Sequence, residues 1–234
     1  MRSKTNDTTR PKKKGRVGRI TLLIAVPLLI LLLIYVFLPV STEVYTNTDS
    51  ISDAIHDLQP RVVMLDGIII KKQPDAVSCG ITTVAVMSNY FNQTDQEVND
   101  LIDKYDSKGN TDAVELLQRE LPGRNVVFKA NVANDAMIRD IHSSLIRGNP
   151  VMVFFGAPNP YNEPYYDTHG SVVYGIDLDS ETITIANSYG YSEEISLVDF
   201  LNRMAYAERD RYTFGQRFVW KFIRVNKNMY VVVE

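Results

Sequence analysis

The segment from Gln73 to Gly80 (QPDAVSCG) holds the only cysteine of the chain, at the point where a helical pattern begins. Apolar and small side chains recur after Cys79 with the spacing of an amphipathic helix. Unpaired amides and the helix dipole at a helix N-terminus stabilise a thiolate, so Cys79 is a candidate nucleophile. Gln73, six residues earlier, carries an amide that could join the Cys79 backbone N–H in binding an oxyanion. A buried, inert thiol is the alternative that these residues leave open.

His169 is the candidate general base. It stands beside Gly170 at the start of a predicted strand and follows an irregular loop, so its ring can face a cleft. Asn187 ends the next strand, and antiparallel pairing through the turn at 179–180 would bring it beside His169. There it could accept the imidazole N–H and fix the tautomer, completing a Cys-His-Asn set. Asp177, at the far end of the His169 strand, is a weaker candidate for this role, and a plain turn residue is the alternative for Asn187.

The loop at 156–168 (GAPNPYNEPYYDT) immediately precedes His169 and is rich in tyrosine and proline. It offers Tyr161, Tyr165 and Tyr166 as walls of a substrate groove, with Gly80 beside the cysteine as a fourth substrate-binding residue. Ordinary loop aromatics are the alternative for the tyrosines.

The remaining histidines do not indicate a metal. His142 flanks the apolar stripe of a predicted helix, which favours a structural role, and His56 lies in a polar segment. No H-E-x-x-H or similar spacing is present, and a single cysteine forms neither an intramolecular disulfide nor a Cys-rich zinc site. We therefore expect no metal and no other cofactor.

The N-terminal part of the chain predicts a membrane anchor. Residues 1–19 carry eight basic side chains and one acidic one, whereas the rest of the chain carries 17 basic and 27 acidic ones. Residues 20–40 contain no charge and are long enough as a helix to cross the roughly 30 Å hydrocarbon core. A cleaved signal peptide is the alternative, but this apolar run is longer than the roughly 7 to 15 residues usual in such a peptide, and no small-residue cleavage site follows it.

The basic arm predicts the orientation of this anchor. Lysine and arginine before the helix favour a cytoplasmic N-terminus, which makes the chain a single-pass protein of the cell membrane with its C-terminal domain outside. The arm is thereby explained as a topology determinant. We therefore expect the lipid bilayer to be a partner and expect no binding of nucleic acid. A lone cysteine suits an exported bacterial protein.

Hydrophobic periodicity predicts one α+β domain at 61–234, after a polar stalk at 41–60 with a helical turn near 52–58. Helices are expected to begin at Ser78–Cys79, at Thr94 (a capping box, TDQE), near Thr111 and at Asn134, and again at Ser196. Strands are expected at 61–70, 150–155, 169–176, 182–186, 194–196, 218–225 and 229–233. Helices come first and antiparallel strands second.

Three phrases together resemble the C39-type, papain-like cysteine peptidases: Gln73-x5-Cys79-Gly80, IRDIHSSLIRGNPVMVFF (138–155), and His169-Gly-Ser-Val-Val-Tyr-Gly-Ile-Asp followed by a polar residue at 187. The resemblance covers roughly residues 60–205. That family usually has Asp followed by Pro at the third position, whereas NSYG at 187–190 is closer to the Asn-Ser-Trp-Gly of papain. The resemblance implies the papain-like fold, with Cys79 as nucleophile, His169 as base, Asn187 as the orienting residue and Gln73 as the oxyanion glutamine.

The function that the resemblance implies is a membrane-anchored extracytoplasmic cysteine peptidase acting on a peptide or protein near the membrane surface. C39 domains are best known for cutting leader peptides after double-glycine sites, but that role usually accompanies an ABC exporter on the same chain and faces the cytoplasm. Neither condition is expected here. Two alternatives remain: a cell-wall peptide hydrolase or acyl transferase using the same residues, and a membrane-tethered binding module without turnover.

Overall fold

The structure is a computed structural model, and it describes residues 26–31, 44–49, 51–107, 112–223 and 225–234. The predicted basic arm and most of the predicted anchor at 20–40 lie outside the described residues, apart from 26–31, which are helical. Within the part of the chain that is described, no helix has the length and apolar character needed to cross a membrane. Residues 41–234 form one compact unit, which contains the candidate site.

Among the described residues, seven strands form a fully antiparallel sheet at the centre of this unit: β1 (Val62–Met64), β2 (Val126–Lys129), β3 (Val151–Pro158), β4 (Tyr166–Asp177), β5 (Thr182–Asn187), β6 (Tyr191–Ser196) and β7 (Met229–Val233). Their order in the sheet is β2-β7-β3-β4-β5-β6, and β1 pairs with part of β4. The register places Phe155 opposite His169 and Ser171 opposite Asn187. The two candidate site residues therefore come from neighbouring strands.

Helices cover both faces of the sheet. They are α1 (Ser52–Ile55), α2 (Cys79–Asn92), α3 (Val98–Tyr105), α4 (Ala113–Glu120), α5 (Asn134–Ile146), α6 (Leu197–Met204) and α7 (Phe214–Phe222). Along β3, Val151, Val153 and Phe155 face a core shared with α1, α5 and α6. Met152 and Phe154 face the opposite core, shared with α2, α3 and α4. Side chains of a strand alternate between faces, so a strand buried on both sides is an unbroken apolar run.

The α+β class predicted from the sequence is confirmed, but the order of elements is less simple than helices followed by strands. Strand β2, which the periodicity does not predict, lies at one edge and pairs with the last strand, β7. Residues 61–70 form a strand only at Val62–Met64. The second helix begins at Val98 and not at Thr94, because Glu97 is its N-cap and donates its backbone N–H to Asp100 Oδ2 at 3.4 Å.

The strand predicted at 218–225 is wrong, since residues 214–222 form helix α7. The aromatic and β-branched run FVWKFIRV is typical of a strand, but Thr213 caps a helix here: its hydroxyl oxygen accepts the backbone N–H of Gln216 at 3.3 Å. A cap of this kind satisfies amides that a helix start leaves unpaired, and it fixes the chain direction ahead of the apolar residues.

The described part of the predicted stalk packs against the domain. Tyr45 exchanges two backbone hydrogen bonds of 2.8 Å with the side-chain amide of Asn202 at the end of α6. The hydroxyl of Thr48 donates to Glu181 Oε1 at 2.9 Å, and Ile51 and Ile55 are buried in the core beneath α5. The described residues from 45 onward are therefore part of the folded body.

Candidate active site

Helix α2 begins at Cys79 because the preceding loop is organised by Asp75. The Asp75 carboxylate accepts the backbone N–H of Val77 at 3.0 Å and the hydroxyl of Ser78 at 2.5 Å. Such bonds from an aspartate to residues two and three positions later turn the chain into a helix start. Cys79 is 2% exposed and occupies the first position of the helix, as the sequence predicts. Its thiol thus lies where helix amides stabilise negative charge.

The N-terminal end of α2 crosses β4 next to His169. A Cβ placed on Gly170 would lie 3.4 Å from the carbonyl oxygen of Cys79 and 3.4 Å from the side chain of Thr83. His169 itself is buried beside this crossing. The structure therefore brings the predicted nucleophile and the predicted base to one place, although 90 residues separate them in the sequence.

Asn187 is the direct partner of His169. Its Oδ1 lies 2.9 Å from His169 Nε2 and also accepts the backbone N–H of Tyr189 at 3.0 Å. The antiparallel pairing of β4 with β5 produces this contact, as the sequence predicts. Because the amide oxygen accepts, Nε2 of a neutral ring carries the proton and Nδ1 is the basic nitrogen. Asp177 is far from the ring: it accepts the backbone N–H groups of Asp179 and Ser180 in the β4–β5 turn.

The orientation of the Asn187 amide is set from behind by a partly buried ion pair between Glu193 and Arg203. Asn187 Nδ2 donates to Glu193 Oε2 at 2.8 Å, so its oxygen must face His169. Glu193 Oε1 accepts Arg203 Nη1 at 2.9 Å, and Arg203 also pairs with Asp199 at 2.7 Å. A chain of contacts thus runs from the imidazole through Asn187 to a carboxylate on β6 and a guanidinium on α6.

Burial keeps His169 neutral. Removal from water is the main reason that the pKa of the imidazole falls from its ordinary value of 6.5 to about 4. The hydrogen bond to Asn187 raises this pKa, and the positive charge of Arg203 lowers it further. Above about pH 4 the ring is consequently a proton acceptor and not a cation.

Gln73 lies in the same site and is buried. Its backbone N–H donates to the carbonyl of Ser188 at 2.7 Å, and its Nε2 donates to the carbonyl of Asp75 at 2.7 Å. The Ser188 hydroxyl lies 3.1 Å from Gln73 Oε1, 3.0 Å from His169 Nε2 and 2.8 Å from the carbonyl of Gly170. Ser188 therefore joins the glutamine to the histidine.

Tyr189 covers the site on one side. Its ring stacks on His169 with centroids 4.0 Å apart and planes 22° from parallel. Burial raises the pKa of its hydroxyl, and the nearby Cys79 thiol acts in the same direction. Next in sequence, Gly190 has φ of +97°, and a Cβ there would lie 2.8 Å from Lys72 Cβ, so glycine alone suits this turn.

A groove of about 480 Å³ begins at Tyr189 and leads away from the site. Its lining is mainly aromatic and proline side chains, with one lysine and one glutamate: Lys72, Pro158, Pro160, Tyr161, Glu163, Tyr189 and Tyr191. Tyr161 and Tyr189 contact each other edge to face, with centroids 6.3 Å apart. Of the residues predicted to bind substrate, Tyr161 is a wall of this groove.

The other predicted substrate-binding residues lie elsewhere. Tyr166 is buried in an aromatic cluster with Tyr206 and Tyr212, and Arg211 bonds its hydroxyl at 2.5 Å. Tyr165 is part-exposed on the loop at 159–165, outside the groove lining, and Gly80 is buried in the first turn of α2. The sequence pattern at 156–168 could not distinguish these positions, because β3 and β4 extend into that loop and turn alternate side chains inward.

The remaining histidines are outside the site. His142 is buried, and its Nε2 lies 2.7 Å from the carbonyl oxygen of Pro60, consistent with a structural role. His56 is exposed after α1. Among the residues that the structure describes, no three histidine, cysteine, aspartate or glutamate side chains are grouped to hold a metal ion.

Sequence reasoning did not identify Ser188, Glu193 or Arg203. The first could have been noticed as part of the NSYG phrase beside Asn187. The other two reach the site only through the pairing of β6 with β5 and the packing of α6, which no local pattern indicates.

Comparison with known proteins gives one family. The model of the Peptidase_C39 like family matches residues 65–213, a stretch that includes Cys79, His169 and Asn187. No curated protein matches the chain significantly. A chain from Bacillus anthracis described as a C39-like peptidase is similar to 74% of this chain and 97% of its own, at 13% identity and a TM-score of 0.44. Xylellain, a cysteine protease from Xylella fastidiosa, is similar to 82% of this chain and 91% of its own, at 11% identity and a TM-score of 0.43.

Proposed function

The chain belongs to the Peptidase_C39 like family, a cysteine peptidase family, and on that premise we propose that it hydrolyses peptide bonds with Cys79 as nucleophile, His169 as base and Asn187 as the residue that orients the base. We further propose that residues 20–40 anchor it in the cell membrane with the catalytic domain outside the cytoplasm. The substrate is then a peptide or protein close to the membrane surface.

One observation carries the catalytic part of the proposal: the buried 2.9 Å contact between His169 Nε2 and Asn187 Oδ1, beside the helix start that holds the only cysteine. An imidazole held by Nε2 presents Nδ1 as its basic atom. A nucleophile, a base and a group that orients the base are the parts that thiol hydrolysis requires.

The proposed reaction begins with His169 neutral. Nδ1 takes the thiol proton as Cys79 Sγ bonds to the carbonyl carbon, and the carbonyl oxygen gains the negative charge. The backbone N–H of Cys79 and the second N–H of Gln73 Nε2 stabilise this oxyanion. His169 then gives the proton to the leaving amine as the C–N bond breaks, and a water activated by His169 hydrolyses the thioester. Cys79 regains its proton.

The groove next to Tyr189 supports a peptide substrate. Aromatic and proline walls offer apolar contact to an extended chain, and Lys72 and Glu163 add one charge of each sign. Sites of this composition orient a substrate by a few polar groups while the apolar walls supply most of the contact. Tyr189 lines the groove and stacks on His169, so a chain lying in the groove would contact the residue that covers the proposed base.

Digestion of two substrate classes tests the proposal. The protein and its Cys79→Ala and Gln73→Ala variants are incubated with an unfolded polypeptide mixture and, separately, with purified peptidoglycan. We expect cleavage of the polypeptide, none by Cys79→Ala, and a loss of about 10²- to 10³-fold in kcat for Gln73→Ala, because one oxyanion donor is removed. Equal activity in Cys79→Ala would refute the mechanism. Release of peptides from peptidoglycan alone would favour the cell-wall hydrolase.

A further inference from the structure

Helix α7 turns apolar side chains outward. Phe214, Phe218 and Val219 are 54%, 39% and 46% exposed, and at helical spacing they share one half of the helix surface. Ile223, just beyond the last helical residue, is 62% exposed. The opposite half holds the helix to the domain. Such a helix is inverted relative to the usual surface helix, which turns its polar side to solvent.

Contacts of Trp220 and Gln216 hold the inner half of α7 to the domain. Trp220 packs against Tyr212, with ring centroids 4.7 Å apart, and Gln216 Nε2 donates to Asp167 Oδ1 at 2.9 Å. Because Asp167 belongs to β4, two residues before His169, the helix lies beside the strand that carries the proposed base. Anything that binds the outer half is therefore close to the active site.

The segment that contains α7 is basic in sequence, whereas the domain as a whole is acidic. Residues 212–233 contain four basic side chains and no acidic one, although the chain after residue 19 has 27 acidic against 17 basic residues. Basic residues beside exposed phenylalanine, valine and isoleucine are typical of helices that lie in the headgroup region of an anionic bilayer. A second copy of the chain would bring the same positive charge to this face, which disfavours a symmetric dimer.

The length of the tether points to the same partner. The uncharged run ends at Val40, and Tyr45 is already bonded to Asn202 on α6. Five residues reach at most about 17 Å, since an extended chain spans roughly 3.5 Å per residue. If residues 20–40 cross the bilayer, the folded body therefore sits against its surface. Asn202 is connected to α7 by packing. Its carbonyl accepts the backbone N–H of Ala207 at 2.9 Å. The neighbouring Tyr206 contacts Trp220 of α7 edge to face, with ring centroids 5.6 Å apart.

We infer that the outer half of α7 lies in the headgroup region of the bilayer as a second membrane contact and holds the active site beside the membrane. This inference rests on the proposed anchor at 20–40. It places the candidate site where substrate segments close to the lipid surface can enter, which narrows the substrate class to juxtamembrane peptide segments.

Fluorescence from a label on α7 tests the inference in the full chain. Ile223→Cys is made in a Cys79→Ala background and labelled with an environment-sensitive dye. The protein is reconstituted as one copy per nanodisc, in equal parts of phosphatidylglycerol and phosphatidylcholine. Glu115→Cys on α4 is the matched control, because the Glu115 side chain is 65% exposed on a helix of a different layer. Nitroxide at headgroup depth then quenches whichever label touches lipid.

We expect a blue-shifted emission at 223 that headgroup nitroxide reduces by about twofold or more, since interfacial helices bury their apolar side roughly 5–10 Å deep. The label at 115 should be unaffected, and pure phosphatidylcholine should weaken the effect at 223. A label at 223 that is quenched no more than the control would overturn the inference, and so would a blue shift without quenching, which indicates a protein cover. Failure of the chain to insert into the disc would instead refute the anchor itself.

Discussion

Mild acid should destabilise the domain through His169. The imidazole is buried and has a pKa of about 4 in the folded state, against 6.5 for the group in an unfolded chain. Between these two pH values the unfolded state binds more protons than the folded state. Stability therefore rises with pH across this window and falls as the solution is acidified through it.

The size of the effect follows from the two pKa values. Each pKa unit corresponds to about 1.36 kcal/mol, so the full penalty approaches about 3 kcal/mol at pH 4 and below. Between about pH 7 and pH 5 the same relation gives a loss of about 2 kcal/mol from this one group. Because His169 is only 2% exposed, screening by solvent reduces this figure little.

Urea unfolding of residues 41–234 at several pH values measures this effect. The loss for the natural sequence should exceed that of His169→Gln by about 2 kcal/mol between pH 7 and pH 5, because glutamine does not titrate. His56→Gln, at an exposed histidine, should behave like the natural sequence. The reasoning is refuted if His169→Gln loses as much stability as the natural sequence, which would mean that the imidazole is readily protonated in the folded state.

Three further predictions concern residues around the site. Glu193→Ala should lower kcat about tenfold with little change in KM, because Asn187 loses a charge-assisted hydrogen bond of about 1.4 kcal/mol. The control Glu194→Ala, at the exposed neighbouring residue, should leave kcat unchanged. Equal kcat values for the two variants would contradict this prediction. Asp177→Asn should leave kcat unchanged, since its carboxylate serves only the turn, and a large loss would make it the orienting residue instead. Gly156→Ala should lower the free energy of unfolding by about 1–3 kcal/mol, because the new Cβ would lie 1.6 Å from the buried Tyr212 hydroxyl. The control Gly123→Ala, where a Cβ would meet no atom within 4 Å, should leave the melting temperature unchanged.

The central part of the site was predictable from the sequence because each signal is local or depends on one hairpin. The histidine at a strand start and the asparagine at the end of the next strand come together once β4 and β5 pair, and the cysteine at a helix start is a local signal. The crossing of α2 over β4 beside Gly170, which brings Cys79 to them, is a long-range contact that no local pattern indicates. Loop boundaries were less predictable. The strands around 156–168 run further than their composition suggests, so Tyr166 faces the interior, and of the three tyrosines in this segment Tyr161 is the one that lines the groove.

The support behind the site was not predictable, because it depends on contacts between distant parts of the chain. Glu193 and Arg203 meet through the register of β6 and the packing of α6. Helix α7 has a composition that fits a strand and a helix equally, and the cap at Thr213 together with packing of Trp220 determines which forms. The polar segment that contains α1 likewise gives no sign that Ile51 and Ile55 reach the core.

The alkylation rate of Cys79 by iodoacetamide against pH tests the central claim most directly, on the natural sequence and on His169→Ala. If His169 is the base for Cys79, the pair loses its first proton near pH 4, and the rate should stay nearly constant from about pH 5 to pH 8. In His169→Ala the rate should instead rise about tenfold per pH unit toward the ordinary thiol pKa of about 8.5. A natural protein whose rate rises in the same way as the variant, or a thiol inert in both, would contradict the account.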